Sequence, residues 1–202
     1  MKLYYSPGAC SLSPHIALQE AGLAFELVMA STKSHKLQDG TDYYTINPLG
    51  YVPLLELDDG TTLREGPAIV QYVADQAPLK NLAPANGTLP LYRLLEWLNF
   101  IGTEIHKGFS PLFNPAMPEE AKTLFKDKLT SRYQWLDKQL EGREFLMGEH
   151  FTVADGYLFT VTNWAKPTGL DLSSFSTLLA WHARIGQRPA VQAAMKAEGL
   201  IK

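Results

Sequence analysis

Cysteine is almost absent from the chain, which has a single one, Cys10, among 202 residues. A lone cysteine excludes a disulfide within the chain and any zinc site built from several cysteines. The histidines His15, His35, His150 and His182 lack the spacing that metal ligands show, so no metal site is predicted. So little cysteine leads us to expect a reducing, cytoplasmic setting.

Long hydrophobic runs and an excess of positive charge are also missing. No apolar run approaches the roughly 20 residues that cross a bilayer, and the start, MKLYYSPGACS, lacks the apolar core of a signal peptide. The net charge is -3 and no basic stripe appears, so we expect no binding to nucleic acid or to an anionic membrane. Hydrophobic residues make up 46% of the chain, enough for one or two domains with cores of their own.

The first part of the chain alternates strand and helix patterns. Residues 2–5 and 25–29 predict strands on either side of a helix at residues 11–21, which implies a right-handed crossover between parallel strands. A hairpin pattern follows, with its turn at Asp58-Asp59-Gly60, and Pro67 then fits the first turn of another helix. The order βαβ-ββα is that of a thioredoxin-like domain.

The second part shows only helical patterns. Prolines and a glycine accumulate before it, and we place a linker at residues 81–89. One long amphipathic helix is predicted near residues 91–105, and four more follow it. Thr152 and Asp155 predict a capping box at the start of one of them. The predicted fold is therefore α/β plus all-α: a thioredoxin-like domain at residues 1–80 and a helical-bundle domain at residues 90–202.

Cys10 is the first candidate for chemistry, because it follows a predicted strand and a Gly-Ala turn at the start of a helix. The N–H groups of a helix start favour a thiolate. The motif Cys-Ser-Leu-Ser has no second cysteine, which excludes a dithiol reductase but allows a mixed disulfide with an outside thiol. The alternative is an inert buried cysteine.

Two further places combine suitable groups. Val52-Pro53 precedes a strand, and an outward-facing Val52 backbone would pair with an extended peptide-like ligand, while Glu65 and the next helix start would hold its ammonium and carboxylate groups. His106, beside Lys107 at the end of the long helix, could act as a base or as a donor to a sulfur anion. Each has a structural alternative. Val52-Pro53 would only start a strand, Glu65 would only interact with the helix dipole, and His106 and Lys107 would form a solvated helix end.

The chain resembles cytosolic glutathione transferases of the bacterial beta class. The motifs that carry the resemblance follow the family's order along nearly the whole chain: residues 2–11 KLYYSPGACS, 47–53 NPLGYVP, 63–66 LREG, 96–99 EWLN, 104–109 EIHKGF and 151–155 FTVAD.

The resemblance implies a homodimer that binds glutathione and a hydrophobic electrophile. It implies that Pro53 is cis and that Tyr51 belongs to the glutathione site. It also implies that Val52 pairs with the cysteinyl part of glutathione, that Glu65 and the Gly66 N–H bind the γ-glutamyl end, and that the sulfur faces Cys10. His106 and Lys107 would line the electrophile side. Asn99 and Glu104 reach the glutathione site in their own subunit or from the partner.

One position departs from the family pattern, and two hydroxyls near Cys10 rank below it. The family often has Lys where this chain has His35, so contact between His35 and the glycine carboxylate of glutathione is an open expectation here. Tyr5 and Ser11 are the hydroxyls that other classes use to activate the thiolate, and we rank both below Cys10.

Three functions follow from these patterns. The leading one is transfer of the glutathione thiolate to hydrophobic electrophiles, as in detoxification. The second is glutathione-dependent thiol-disulfide exchange or reductive dehalogenation through Cys10. The third is a non-catalytic carrier of glutathione or hydrophobic ligands, which would have no use for a reactive thiol.

Overall fold

A four-stranded mixed sheet organises the N-terminal part of the chain in the computed structural model, which describes residues 1–202. Its strands are β1 (Lys2–Tyr5), β2 (Glu26–Met29), β3 (Leu54–Glu56) and β4 (Thr62–Arg64). Their order is β2-β1-β3-β4, with β1 and β2 parallel and the other pairs antiparallel. The predicted βαβ-ββα arrangement is confirmed.

Two helices accompany this sheet. Helix α1 (Leu12–Ala21) ends at Gly22, whose left-handed φ of 67° suits a residue without a side chain. Helix α2 (Gly66–Gln76) has Pro67 in its first turn, where no N–H is needed. Both are rich in buried aliphatic side chains, so the core of this part is apolar.

The chain divides into two units, of which unit 1 comprises Met1–Ala83 and Arg188–Lys202, and unit 2 comprises Pro84–Gln187. Unit 1 thus includes the C-terminal helix α9 (Pro189–Ala197), which packs against α1. The sequence grouped residues 188–202 with the helical domain, because their amphipathic pattern does not reveal which surface they cover. The limits at residues 80 and 90 stay a prediction.

Unit 2 is helical throughout its regular elements. Besides α3 (Leu89–Phe100), they are α4 (Lys107–Phe109), α5 (Glu119–Gln139), α6 (Val153–Thr162), α7 (Ala165–Thr168) and α8 (Ser176–Gly186). The single long helix expected from residue 91 changes character after α3, because Ile101–His106 form a π-helical segment. No helix of the chain is both long and apolar enough to cross a membrane.

The predicted capping box at the start of α6 is confirmed. The Asp155 carboxylate accepts the Thr152 N–H at 2.9 Å, the Leu146 N–H at 2.8 Å and the Trp181 indole N–H at 3.2 Å. Burial raises the pKa of Asp155 to about 6, although these hydrogen bonds act in the opposite direction. The cap therefore also joins α6 to the loop before it and to α8.

Candidate active site

Cys10 lies between β1 and α1, at the end of the turn formed by residues 6–9. Its side chain is half-buried and forms no disulfide. The thiol donates to the backbone carbonyl oxygen of Val52 at 3.2 Å. The structure thus brings together the two residues that the sequence proposed for the sulfur and the backbone of a peptide-like ligand.

Two hydroxyl groups, those of Ser11 and Tyr5, lie near Cys10 in the sequence. Ser11 is buried; its oxygen accepts the Ser6 N–H at 3.1 Å, and its O–H donates to the Ser6 carbonyl at 3.3 Å. Burial and the charge of Glu198 raise the pKa of Tyr5, so its phenol stays protonated near neutral pH. The ranking of these two hydroxyls below Cys10 stays a prediction.

The backbone before Pro53 is held by a buried amide. Asn47 donates to the Tyr51 carbonyl at 2.7 Å and accepts from the Arg64 guanidinium at 3.0 Å, and the Tyr43 hydroxyl donates to the same carbonyl at 3.2 Å. The Val52–Pro53 peptide bond is cis, as the resemblance implied. The Val52 N–H makes no hydrogen bond within the chain.

Sequence reasoning missed Asn47 and Tyr43 as site-building residues. Asn47 was part of the quoted motif NPLGYVP, but nothing in the pattern indicates that its side chain turns back onto the backbone four residues later. Tyr43 lies in a short irregular helix, Tyr43–Thr45, and its ring is fully buried. No sequence pattern indicates that its hydroxyl reaches the Tyr51 carbonyl.

Glu65 stands at the start of α2 in an unusual backbone conformation, with φ 66° and ψ 116°. A positive φ in a residue other than glycine costs on the order of 1–3 kcal/mol and persists where the surroundings hold it. The exposed carboxylate accepts from the Tyr51 hydroxyl at 2.8 Å, and this hydrogen bond raises the pKa of Tyr51. Glu65 is thereby fixed beside the N–H of Gly66, the first residue of the helix.

His35 also has a positive φ, 52°, and its ring lies 4.7 Å from that of Tyr44. Its Nδ1 is 2.9 Å from the Gly50 carbonyl oxygen. Because a carbonyl only accepts, Nδ1 carries a proton, and Nε2 of the neutral ring then has a lone pair. His35 is thus tied to the backbone two residues before Val52.

In unit 2, His106 belongs to an aromatic cluster in which Trp164 makes most of the ring contacts. Its Nδ1 lies 2.7 Å from the Tyr157 hydroxyl, and its ring centroid is 4.9 Å from that of Trp164. Phe109 and Phe113 meet Trp164 edge-on, at 5.8 and 5.6 Å between centroids. Tyr157 lies on α6, and the sequence does not predict its contact with His106, 51 residues away.

Three other candidate residues of unit 2 lie outside that cluster's contacts. Lys107 is exposed at the start of α4. The Asn99 amide donates to the Leu95 carbonyl of its own helix at 2.8 Å. Glu104 accepts from Arg132 at 2.8 Å and lies 3.4 Å from the Lys128 ammonium, and these partners lower the pKa of Glu104.

Comparison with known proteins matches both parts of the chain. The family model described as the glutathione S-transferase N-terminal domain matches residues 8–76, and that of the C-terminal domain matches residues 100–189. Glutathione S-transferase GstA of Escherichia coli O157:H7 is 46% identical over 200 residues, covering 99% of this chain and 100% of that protein.

Two solved structures are similar over the full length of both chains. A bacterial beta class glutathione S-transferase from Sphingomonas chungbukensis shares 49% identity at a TM-score of 0.96. A sphingomonad glutathione S-transferase in complex with glutathione shares 50% identity at a TM-score of 0.95.

Proposed function

The chain belongs to the glutathione S-transferase family, and we propose that Cys10, Val52 and Glu65 hold glutathione with its sulfur facing Cys10. The activity is conjugation of the glutathione thiolate, and the proposed acceptors are hydrophobic electrophiles. The contact between the Cys10 thiol and the Val52 carbonyl carries this proposal, because it joins the sulfur site to the backbone site. The comparisons do not favour the exchange, dehalogenation or carrier functions.

Each part of glutathione finds complementary groups in unit 1. The cysteinyl N–H and C=O pair with the backbone of Val52, next to Pro53, and the N–H of Val52 has no competing partner. The γ-glutamyl ammonium meets the carboxylate of Glu65, which Tyr51 orients, and its carboxylate meets the N–H of Gly66. These assignments use charge and donor complementarity at one end of the sheet.

His35 is the proposed partner of the glycine carboxylate. Since its Nδ1–H is engaged with Gly50, neutral His35 offers only a lone pair at Nε2, which repels a carboxylate. The ring can donate from Nε2 only when it is doubly protonated. This contact therefore requires the imidazolium form, unlike a lysine at the same position.

The electrophile side is proposed to involve His106 and Lys107. When the Tyr157 hydroxyl donates to Nδ1, the proton of neutral His106 is on Nε2, where it is a donor for a leaving group or for a sulfur anion. Asn99 and Glu104 are retained as proposed contacts of the glutathione site; their present hydrogen bonds to Leu95 and to Arg132 would have to be shared or exchanged.

We also propose that the protein acts as a homodimer in the cytoplasm. The lone cysteine fits a reducing compartment. The dimer follows from the family resemblance, and exposed apolar side chains on α3 and α5 support it.

Calorimetry with glutathione tests the proposed site. Glu65→Ala should weaken binding by about 1.5–3 kcal/mol, because a charge-assisted hydrogen bond to the ammonium is lost. Glu26→Ala, which removes an exposed carboxylate from β2, is the control and should leave the affinity unchanged. The same variants in a steady-state assay with an aryl halide should show a loss in kcat/KM for Glu65→Ala alone. Equal affinity of Glu65→Ala and the unmodified protein would remove Glu65 from the site.

A further inference from the structure

Glu198, directly after α9, is a fully buried carboxylate that the proposed site does not use. Its Oε1 lies 2.8 Å from Nδ1 of His15, whose side chain is equally buried. Its Oε2 accepts the backbone N–H of Gly8 at 2.9 Å. A carboxylate withdrawn from water is strongly unfavourable unless hydrogen bonds compensate it, so these two bonds are what keep Glu198 in place.

The proton positions in this cluster follow from the hydrogen-bonding groups. Both oxygens of an ionised Glu198 only accept, so His15 carries a proton on Nδ1. The Nε2 atom of His15 is buried and has no hydrogen-bond partner. An unsatisfied lone pair at a buried nitrogen is tolerated better than an orphaned N–H, which agrees with a proton on Nδ1 rather than on Nε2.

Gly8 links this cluster to Cys10. It stands in the left-handed region, with φ 70°, in the turn that ends at Cys10, and the Ala9 N–H closes that turn onto the Ser6 carbonyl at 3.0 Å. A Cβ on Gly8 would lie 3.4 Å from a methyl carbon of Leu200, so the C-terminal residues cover the turn. Ser11 holds the same turn through Ser6.

The other end of α9 is tied down without involving Cys10. Arg188, immediately before the helix, makes two hydrogen bonds to Glu20 at the far end of α1, at 2.6 and 2.9 Å. Helices α1 and α9 are therefore joined by hydrogen bonds to a carboxylate at both ends, and only the Glu198 end reaches the turn before Cys10.

We propose that Glu198 is a positioning residue for Cys10: with His15 it holds the Gly8 N–H and thereby sets the turn that presents the Cys10 sulfur. The inference rests on the proposed function, in which Cys10 faces the sulfur of glutathione. In this view the C-terminal segment, 190 residues from Gly8, is part of the machinery that orients the site.

A comparison of two disulfide reagents tests this role on the full-length protein. The Cys10 thiolate attacks one sulfur of glutathione disulfide; the new S–S bond forms as the old one breaks, and one glutathione leaves as a thiolate. Intact mass spectrometry gives the rate of this adduct, and the rate with 2-hydroxyethyl disulfide gives the same chemistry without recognition. The ratio of the two rates measures how well Cys10 is aligned with bound glutathione.

Glu198→Ala should lower this ratio about 10-fold or more, since small displacements of a reacting group have effects of this order. Glu198→Gln keeps the shape and an acceptor for Gly8, but its NH2 then faces His15 and forces a proton onto the partnerless Nε2, so we expect a smaller loss. Arg188→Met is the matched control: it should lower the melting temperature yet leave the ratio within 2-fold.

The outcomes separate the inference from the function on which it rests. If the unmodified protein shows no preference for glutathione disulfide, the proposed glutathione site fails and the inference with it. If the preference exists and Glu198→Ala retains it in full while melting earlier, as Arg188→Met does, then Glu198 is only structural. Should Glu198→Ala fail to fold, Glu198→Met, which fills the space but has no acceptor for the Gly8 N–H, replaces it in this comparison.

Discussion

Two opposing effects act on the protonation of the Cys10 sulfur. The N–H groups at the start of α1 favour the thiolate, whereas only the protonated thiol can donate to the Val52 carbonyl. A glutathione molecule that pairs with Val52 would compete for that carbonyl and release the Cys10 proton for its own sulfur. Ligand binding and the protonation state of Cys10 are therefore expected to be coupled.

Replacement of Cys10 by alanine should separate transfer from disulfide chemistry. The nucleophile in transfer is the glutathione sulfur, so Cys10→Ala should retain conjugation of an aryl halide at a similar or reduced rate. The mixed disulfide with glutathione should disappear completely, because its only possible partner sulfur is gone. Steady-state kinetics measures the first and intact mass spectrometry the second.

Cys10→Ser is the control for the first measurement, since it restores a hydrogen-bond donor without a thiol. Loss of conjugation in both variants would show that Cys10 itself takes part covalently in transfer. Slow alkylation of Cys10 by iodoacetamide, no faster than that of free cysteine between pH 6 and 8, together with no adduct, would make the residue structural.

At single residues, the sequence predicted what local order determines. The positions of Cys10 and Glu65 at helix starts are visible in the sequence, because they depend on neighbours a few positions away. The Gly8 contact of Glu198 and the His106 contact of Tyr157 depend on the packing of segments 190 and 51 residues apart. Such contacts leave no periodic pattern in the chain, and only the folded structure reveals them.

Helices α6 and α8 carry a pair of titrating groups with opposite effects on stability. His182 on α8 stacks on Phe159 of α6 at 4.6 Å between centroids and donates to Asn163 at 2.9 Å. Burial lowers the pKa of His182 to about 4, and burial raises that of Asp155, at the start of α6, to about 6. Both shifts act between pH 4 and 6.5.

The signs of the two effects follow from proton binding. Below pH 6.5 the unfolded chain binds a proton at His182 and the folded chain does not until about pH 4, so stability falls by about 3 kcal/mol as the pH decreases through this range. For Asp155 the folded chain binds the proton first, so stability rises as the pH falls from about 6 to 4, by a similar amount. The two contributions largely cancel in the unmodified protein.

His182→Phe, which keeps an aromatic ring against Phe159, should remove one side of this balance. The free energy of unfolding of the unmodified protein minus that of the variant should grow by about 3 kcal/mol from pH 4 to pH 6.5. Urea denaturation at several pH values measures it, with His150→Phe as a control at an exposed histidine. A difference that is constant over this range would show that His182 titrates alike in both states.

Helical segments differ in how far neighbouring residues along the chain determine them. The capping box of α6 was predicted because four consecutive residues determine it. The π-helical segment Ile101–His106 was not, because the apolar spacing of α3 continues through it. Its wider turn is compatible with the same side-chain types, and π segments of this kind occur frequently at functional sites. It ends at His106, the proposed electrophile-side residue.

The whole molecule shows what order along the chain can predict. The succession of strand and helix patterns predicted both the mixed sheet and the helical second part, because adjacent elements pack together by default. The return of α9 to unit 1 is an exception to that default. It depends on the hydrogen bond from Arg188 to Glu20, 168 residues earlier. It also depends on the surface of α1 that α9 covers, which no sequence pattern identifies.

Exposed apolar side chains on the helices of unit 2 predict how the chain assembles. Helices α3 and α5 expose large apolar side chains, among them Leu89, Tyr92 and Trp135, and the Trp135 ring lies 4.9 Å from that of Phe100. A monomer would leave this surface in water. We expect a homodimer in which these helices meet the first domain of the partner, over an interface of roughly 1,000 Å² or more.

Sedimentation at micromolar concentration should therefore show a dimer. Trp135→Glu should shift it towards the monomer, because a buried charge without a partner is strongly unfavourable at an interface. Leu179→Glu, at an exposed position on α8, should leave the dimer intact. A monomer in the unmodified protein would contradict the assembly, whereas a dimer that survives Trp135→Glu with unchanged affinity would move the interface away from this part of α5.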